Sequence, residues 1–82
     1  MPGVKDRMLN VIIEIINKTF SPAITVTGDT AIKTDLGLDS FEIVNLIYIL
    51  EDRYRIEINE TDIRFIVTVN DIAIILLKEQ DA

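Results

Sequence analysis

Along residues 4–19 the positions Val4, Met8, Val11, Ile12, Ile15 and Thr19 recur at steps of four, three, one, three and four. Those steps trace one stripe of a helix, so the pattern predicts a helix over 4–19. Taken alone, "VIIEIIN" would also suit a strand, because isoleucine favours sheets, but the stripe runs through the whole segment. Ser21-Pro22 ends it, since proline cannot continue the backbone ladder. Asp39 opens a second helix that runs to about Tyr54. Asn59 with Asp62 three residues on predicts a short third helix through about Phe65. Thr68 with Asp71 repeats the pattern and starts a last helix reaching about Lys78, striped by Val69, Ile72, Ile75 and Leu76.

Residues 21–38 read as a loop. A structureless connection of this length is unusual in a small domain unless it is functional or packed on itself. Ile24, Val26, Ile32, Leu36 and Leu38 can fold it back onto the core. "AITVT" and "RIEIN" alternate in strand fashion, yet neither has an evident strand to pair with. The predicted class is all-α: a small four-helix bundle, three helices longer and one short, with a long loop between the first and second. Residues 1–82 are read as one domain, since a chain of 82 residues is near the size at which a core can just carry a fold.

The second helix carries two apolar groups. With Ile43 at zero, Ile43, Leu46, Ile47, Leu50 and Tyr54 lie within roughly 60° of that direction and form a core stripe. Phe41, Val44 and Tyr48 cluster separately at roughly 100 to 160°, beside Asn45, Glu51 and Asp52. Either a neighbouring element covers the second group, or it is an exposed docking patch with an acidic rim. Phe41 adjoins Ser40, so the patch and that serine share one end of the helix.

Composition narrows the chemistry. The chain has no cysteine and no histidine, which removes disulfides, thiolate nucleophiles, Cys/His metal sites and any Ser-His relay. No catalytic residue and no metal site is expected. A net charge of −6 repels nucleic acid and favours a partner with a basic surface. Hydrophobic residues at 49% argue against intrinsic disorder. No apolar run approaches the roughly 20 residues of a membrane span, and the mixed-charge start "MPGVKDRMLN" lacks a signal peptide's apolar segment. The expectation is a cytoplasmic, monomeric protein beginning at Met1, and one that is acted upon rather than one that acts.

Ser40 is where it would be acted upon. Gly37 lets the chain turn, and the Asp39 carboxylate can accept from amides of the first helical turn. Ser40 then takes the first helical position beside free N–H groups that favour an anion. Taken with no context, Asp-Ser at a helix start is far more often a plain cap. Without a base, a functional Ser40 would have to be modified by another enzyme.

The run Asp35-Leu36-Gly37-Leu38-Asp39-Ser40-Phe41, followed by an apolar helix ending "LEDRYRIEI", resembles the acyl carrier proteins, whose usual Asp-Ser-Leu triplet here has Phe41 for leucine. The likeness covers nearly the whole chain, including "TVNDIAIIL" in the last helix. The resemblance implies that Ser40 carries 4′-phosphopantetheine through a phosphodiester, transferred from coenzyme A by a separate, magnesium-dependent phosphopantetheinyl transferase. The thiol of the cofactor would hold acyl groups as thioesters. Asp39 would contact the transferase. Phe41, Glu42, Val44, Tyr48, Glu51 and Asp52 would dock on basic patches of acyl-activating, acyltransferase or synthase enzymes. The sixteen isoleucines pack a small bundle, and the resemblance adds a bundle that opens to shelter an acyl chain.

Asn45, Arg53 and Arg55 interrupt the acidity that fatty-acid carriers tend to show along this helix. A dedicated carrier for a specialised acyl, polyketide or aminoacyl pathway is therefore open. So are a peptidyl or aminoacyl carrier loaded by an adenylating enzyme, and an unmodified helical interaction module.

Overall fold

A computed structural model describes residues 3–81; the expectation about Met1 lies outside them. Four helices follow in order: α1 (Val4–Phe20), α2 (Ser40–Tyr54), α3 (Glu60–Arg64) and α4 (Val69–Asp81). The predicted boundaries hold to within a residue except at the end of the last helix, which runs past Lys78. The Cα radius of gyration is 11.8 Å, close to the roughly 12 Å that a compact chain of this length adopts.

Each start has a local cause. At α2 the Asp39 Oδ1 accepts from the Glu42 amide at 2.8 Å, and Glu42 Oε1 accepts from the Asp39 amide at 3.0 Å. That reciprocal pair satisfies two otherwise orphaned donors. At α3 the Asn59 side chain accepts from Thr61, not from Asp62. At α4 Asp71 Oδ2 accepts from both Val67 and Thr68 amides at 2.9 Å. Helix ends use left-handed residues: Ser21 (φ 46°) after α1 and Arg55 (φ 56°) after α2.

One apolar cluster joins all four helices and the loop. Helix α1 contributes Met8, Ile12 and Ile16, and packs mainly on α4, which contributes Val69, Ile72, Ala73 and Leu76. The predicted stripes need correcting at their edges. Val4 and Thr19 are exposed while Ile16 is fully buried, because "VIIEII" is apolar on nearly every side and leaves the helix's phase open. Ala73 is buried although its small side chain adds little to the pattern.

Residues 21–39 form the long connection, and "AITVT" is not a strand. Val26, Ile32 and Leu38 fold into the core and Leu36 packs against it, whereas Ile24 stays 44% exposed, contrary to the expectation that it folds inward. The connection is held by backbone pairing further along. Ala31 and Thr68 form an isolated antiparallel bridge, and the Ile32 amide donates to Val67 O at 2.8 Å. The first amides of α4, Val69 and Asn70, donate to Thr30 O at 3.1 Å and Gly28 O at 2.8 Å. The loop thus supplies acceptors that a helix start otherwise lacks. The Asn70 side chain packs close over Gly28: a Cβ there would lie 2.7 Å from Asn70 Oδ1 and would have to displace that side chain.

Candidate functional site

The site is assembled at the start of α2. Gly37 adopts φ 69°, a left-handed turn that costs a side-chain-bearing residue about 1 kcal/mol or more. Leu38 then drops into the core and its amide reaches Ile32 O at 3.3 Å, which fixes the approach of the chain to the helix. Asp39 caps, and Ser40 stands exposed at the first helical position. Among the described residues the Ser40 hydroxyl has no hydrogen-bond partner, while both neighbouring carboxylates, Asp39 and Glu42, are engaged in the capping box. The hydroxyl is therefore open to a partner, and the cap orients it.

Helix α2 resolves its two faces. Ile43, Leu46, Ile47 and Leu50 are buried, with Tyr54 packed at the edge of the core. Phe41 is 87% exposed, Tyr48 64% and Val44 37%. Among the described residues nothing covers Phe41 or Tyr48, while Val44 borders clefts that it shares with Ile63 and Arg64 of α3. The acidic residues differ in their duties. Asp52 is exposed, but Glu51 is half-buried and its Oε2 accepts from the Ile58 amide at 2.7 Å, tying α2 to the turn before α3.

Two cations unforeseen in the sequence reading join this end of the molecule. Lys33, from the loop, and Arg64, from the last turn of α3, line a cleft of about 170 Å³ together with Ser40, Ile43, Val44, Ile63 and Ile66. Both also line an adjoining cleft of about 250 Å³ on the loop side. The sequence signal was faint: Lys33 is the only basic residue of the loop and Arg64 the only one of α3, and only the fold brings them together. The donor set fits a covalently attached phosphate ester, with a free hydroxyl, an anion-friendly helix start and two nearby cations.

A family model described as the phosphopantetheine attachment site matches residues 6–76. The chain is 28% identical over 71 residues to acyl carrier protein 3 of Ralstonia nicotianae, covering 87% of this chain and 78% of that one. It is 38% identical over 56 residues to the acyl carrier protein of Onion yellows phytoplasma, covering 68% and 74% respectively. The fold superposes on the crystal structure of an acyl carrier protein from Thermotoga maritima with a TM-score of 0.80 at 24% identity, over 94% of this chain and 91% of that one.

The chain belongs to the acyl carrier protein family. Its cofactor is 4′-phosphopantetheine, and it is a carrier that works with biosynthetic enzymes, not itself an enzyme. Among the described residues no helix is long and apolar enough to cross a membrane.

Proposed function

We propose that Ser40 is the attachment residue and that residues 1–82 act as one carrier unit, passing acyl intermediates between separate enzymes of a fatty-acid, polyketide or related specialised pathway. The observation that carries this is the unengaged Ser40 hydroxyl at the start of α2, beside an exposed apolar face. In loading, Ser40 Oγ loses its proton and bonds to the pantetheine-side phosphorus of the coenzyme A diphosphate, the bridging P–O bond breaks, and adenosine 3′,5′-bisphosphate leaves. The attached arm supplies a thiol on which acyl groups ride as thioesters. Asp39 holds the helix start that presents Ser40, and faces the transferase. Phe41, Val44 and Tyr48, rimmed by Glu42, Glu51 and Asp52, form the surface for basic patches of the transferase and of acyl-handling enzymes. A cytoplasmic location belongs to this reading, since coenzyme A and the transferase must reach Ser40.

Interruption of the acidic helix by Asn45 and Arg53, and the bulk of Phe41 and Tyr48, favour a dedicated pathway over a general fatty-acid role. Incubation with coenzyme A and a broad-specificity transferase tests the attachment. A mass gain of one phosphopantetheine is expected, abolished in Ser40→Ala. No gain, or a gain that survives Ser40→Ala, would sink the assignment. Charging by acyl-activating as opposed to amino-acid-activating enzymes then separates an acyl from an aminoacyl carrier.

A further inference from the structure

Lys33 and Arg64 stand out on a chain in which 14 acidic residues face 8 basic ones. Among the described residues Lys18 pairs with Glu14 and Lys78 with Asp62, while Lys33 and Arg64, like Lys5, Arg7, Arg53 and Arg55, make no ion pair; what sets these two apart is their place beside Ser40. Both side chains are exposed, and neither is needed by the core. They converge from different elements, the loop and α3, on the one cleft that Ser40 also lines. The rest of that cleft is apolar, formed by Ile43, Val44, Ile63 and Ile66.

We infer that Lys33 and Arg64 form a cationic clamp for the phosphodiester on Ser40, laying the root of the arm into the cleft between α2, α3 and the loop. This rests on Ser40 being the attachment residue. Charge decides the occupant. An ester at Ser40 carries its negative charge next to the Asp39 and Glu42 carboxylates, a local repulsion that two cations in the same cleft offset. Arg64 offers a planar fork suited to phosphate oxygens, and Lys33 a mobile point charge. Chemistry next to the phosphate agrees. In pantetheine the carbon chain bears two geminal methyl groups close to the phosphate, and the cleft of about 170 Å³ meets them with aliphatic side chains. A cargo carboxylate is the weaker occupant, because it sits at the far end of the arm and would have to fold back to the cleft. The clamp biases the arm toward one side of α2 and leaves Phe41 and Tyr48 free for partners.

Backbone amide NMR of the apo and transferase-loaded protein tests this, with loading verified by mass. In the wild type, loading should shift amides at Lys33, Thr34 and 63–66 as well as at 39–42. In the Lys33→Gln/Arg64→Gln variant, which should still gain the full mass and keep its helical circular dichroism, the shifts at 33–34 and 63–66 should be lost. They should also shrink in the wild type between 0.1 M and 1 M salt, as the screening length falls from about 10 Å to about 3 Å. A full mass gain with shifts confined to 39–42, or shifts unchanged in the double variant, would overturn the clamp alone. Equal shifts in apo protein given millimolar inorganic phosphate would make the pair a general anion site and overturn it too. Absence of any mass gain in the wild type would remove the attachment reading, and the clamp with it.

Discussion

Truncating the exposed face of α2 should separate docking from folding. Burying a Phe or Tyr side chain fully is worth about 1.5 to 3 kcal/mol. Phe41 is 87% exposed, so Phe41→Ala forfeits at most about 0.4 kcal/mol of burial, and the better helix propensity of alanine returns about as much. Tyr48, at 64% exposed, forfeits about 1 kcal/mol, of which propensity returns about half. Ile47 on the opposite face has no exposed surface, and Ile47→Ala should cost about 2 to 5 kcal/mol. An aromatic anchor in an interface is worth about 2 kcal/mol, or about 30-fold in transfer efficiency. Urea midpoints and transferase kcat/KM measured on Phe41→Ala, Tyr48→Ala and the milder Ile47→Val give the comparison. Phe41→Ala should keep the wild-type midpoint, Tyr48→Ala should lose only about 0.5 kcal/mol, and both should lose about tenfold or more in kcat/KM. Ile47→Val should lower the midpoint and leave transfer unchanged. Wild-type kcat/KM in both aromatic variants would refute the docking face, and a midpoint loss like that of Ile47→Ala would refute the account of α2.

The acidic residues of the same helix should part company. Glu51→Ala leaves the Ile58 amide without its acceptor and should cost about 1 to 2 kcal/mol in denaturation, whereas Asp52→Ala should be within about 0.5 kcal/mol of wild type. Asp52→Lys, free of that structural cost, should slow transferase association at low salt and much less at high salt. Gly37→Ala should lower stability by about 1 kcal/mol through its φ of 69°, read as a shift in urea midpoint with unchanged slope. Asp71 is held below the ordinary carboxylate value, chiefly by the Thr68 amide; burial opposes this, and the Val67 amide and the Thr68 side chain add smaller lowering effects. Its folded form therefore binds a proton less readily than the unfolded one. The stability it adds is complete above the unfolded value, near about pH 4, and is lost as pH falls through the lowered one. Asp71→Asn should flatten that part of the acid denaturation curve, and an unchanged curve would count against the cap.

Much of this architecture could be read from particular residues. Asp39, Asn59 and Thr68-Asp71 mark helix starts because a short polar side chain before an apolar stripe has few other uses, and all three cap as read. The second face of α2 was visible as periodicity, though its exposure was not, since a pattern cannot say whether another element lies on top. The phase of α1 was hidden by its own isoleucines, so Ile16 was missed. Loop contacts were illegible for a different reason. Ala31 meets Thr68, and Gly28 accepts from Asn70, by backbone groups that every residue carries. The same holds for the cationic cleft: Lys33 and Arg64 are distant in sequence, and only the placement of α3 against the loop joins them.

The mass of the protein isolated from its native host tests the central claim most directly. The account predicts an intact mass carrying phosphopantetheine with or without an acyl cargo, the cargo released by hydroxylamine as a thioester and the arm mapped to the peptide containing Ser40. An unmodified mass throughout growth, or an arm on any other residue, would contradict it.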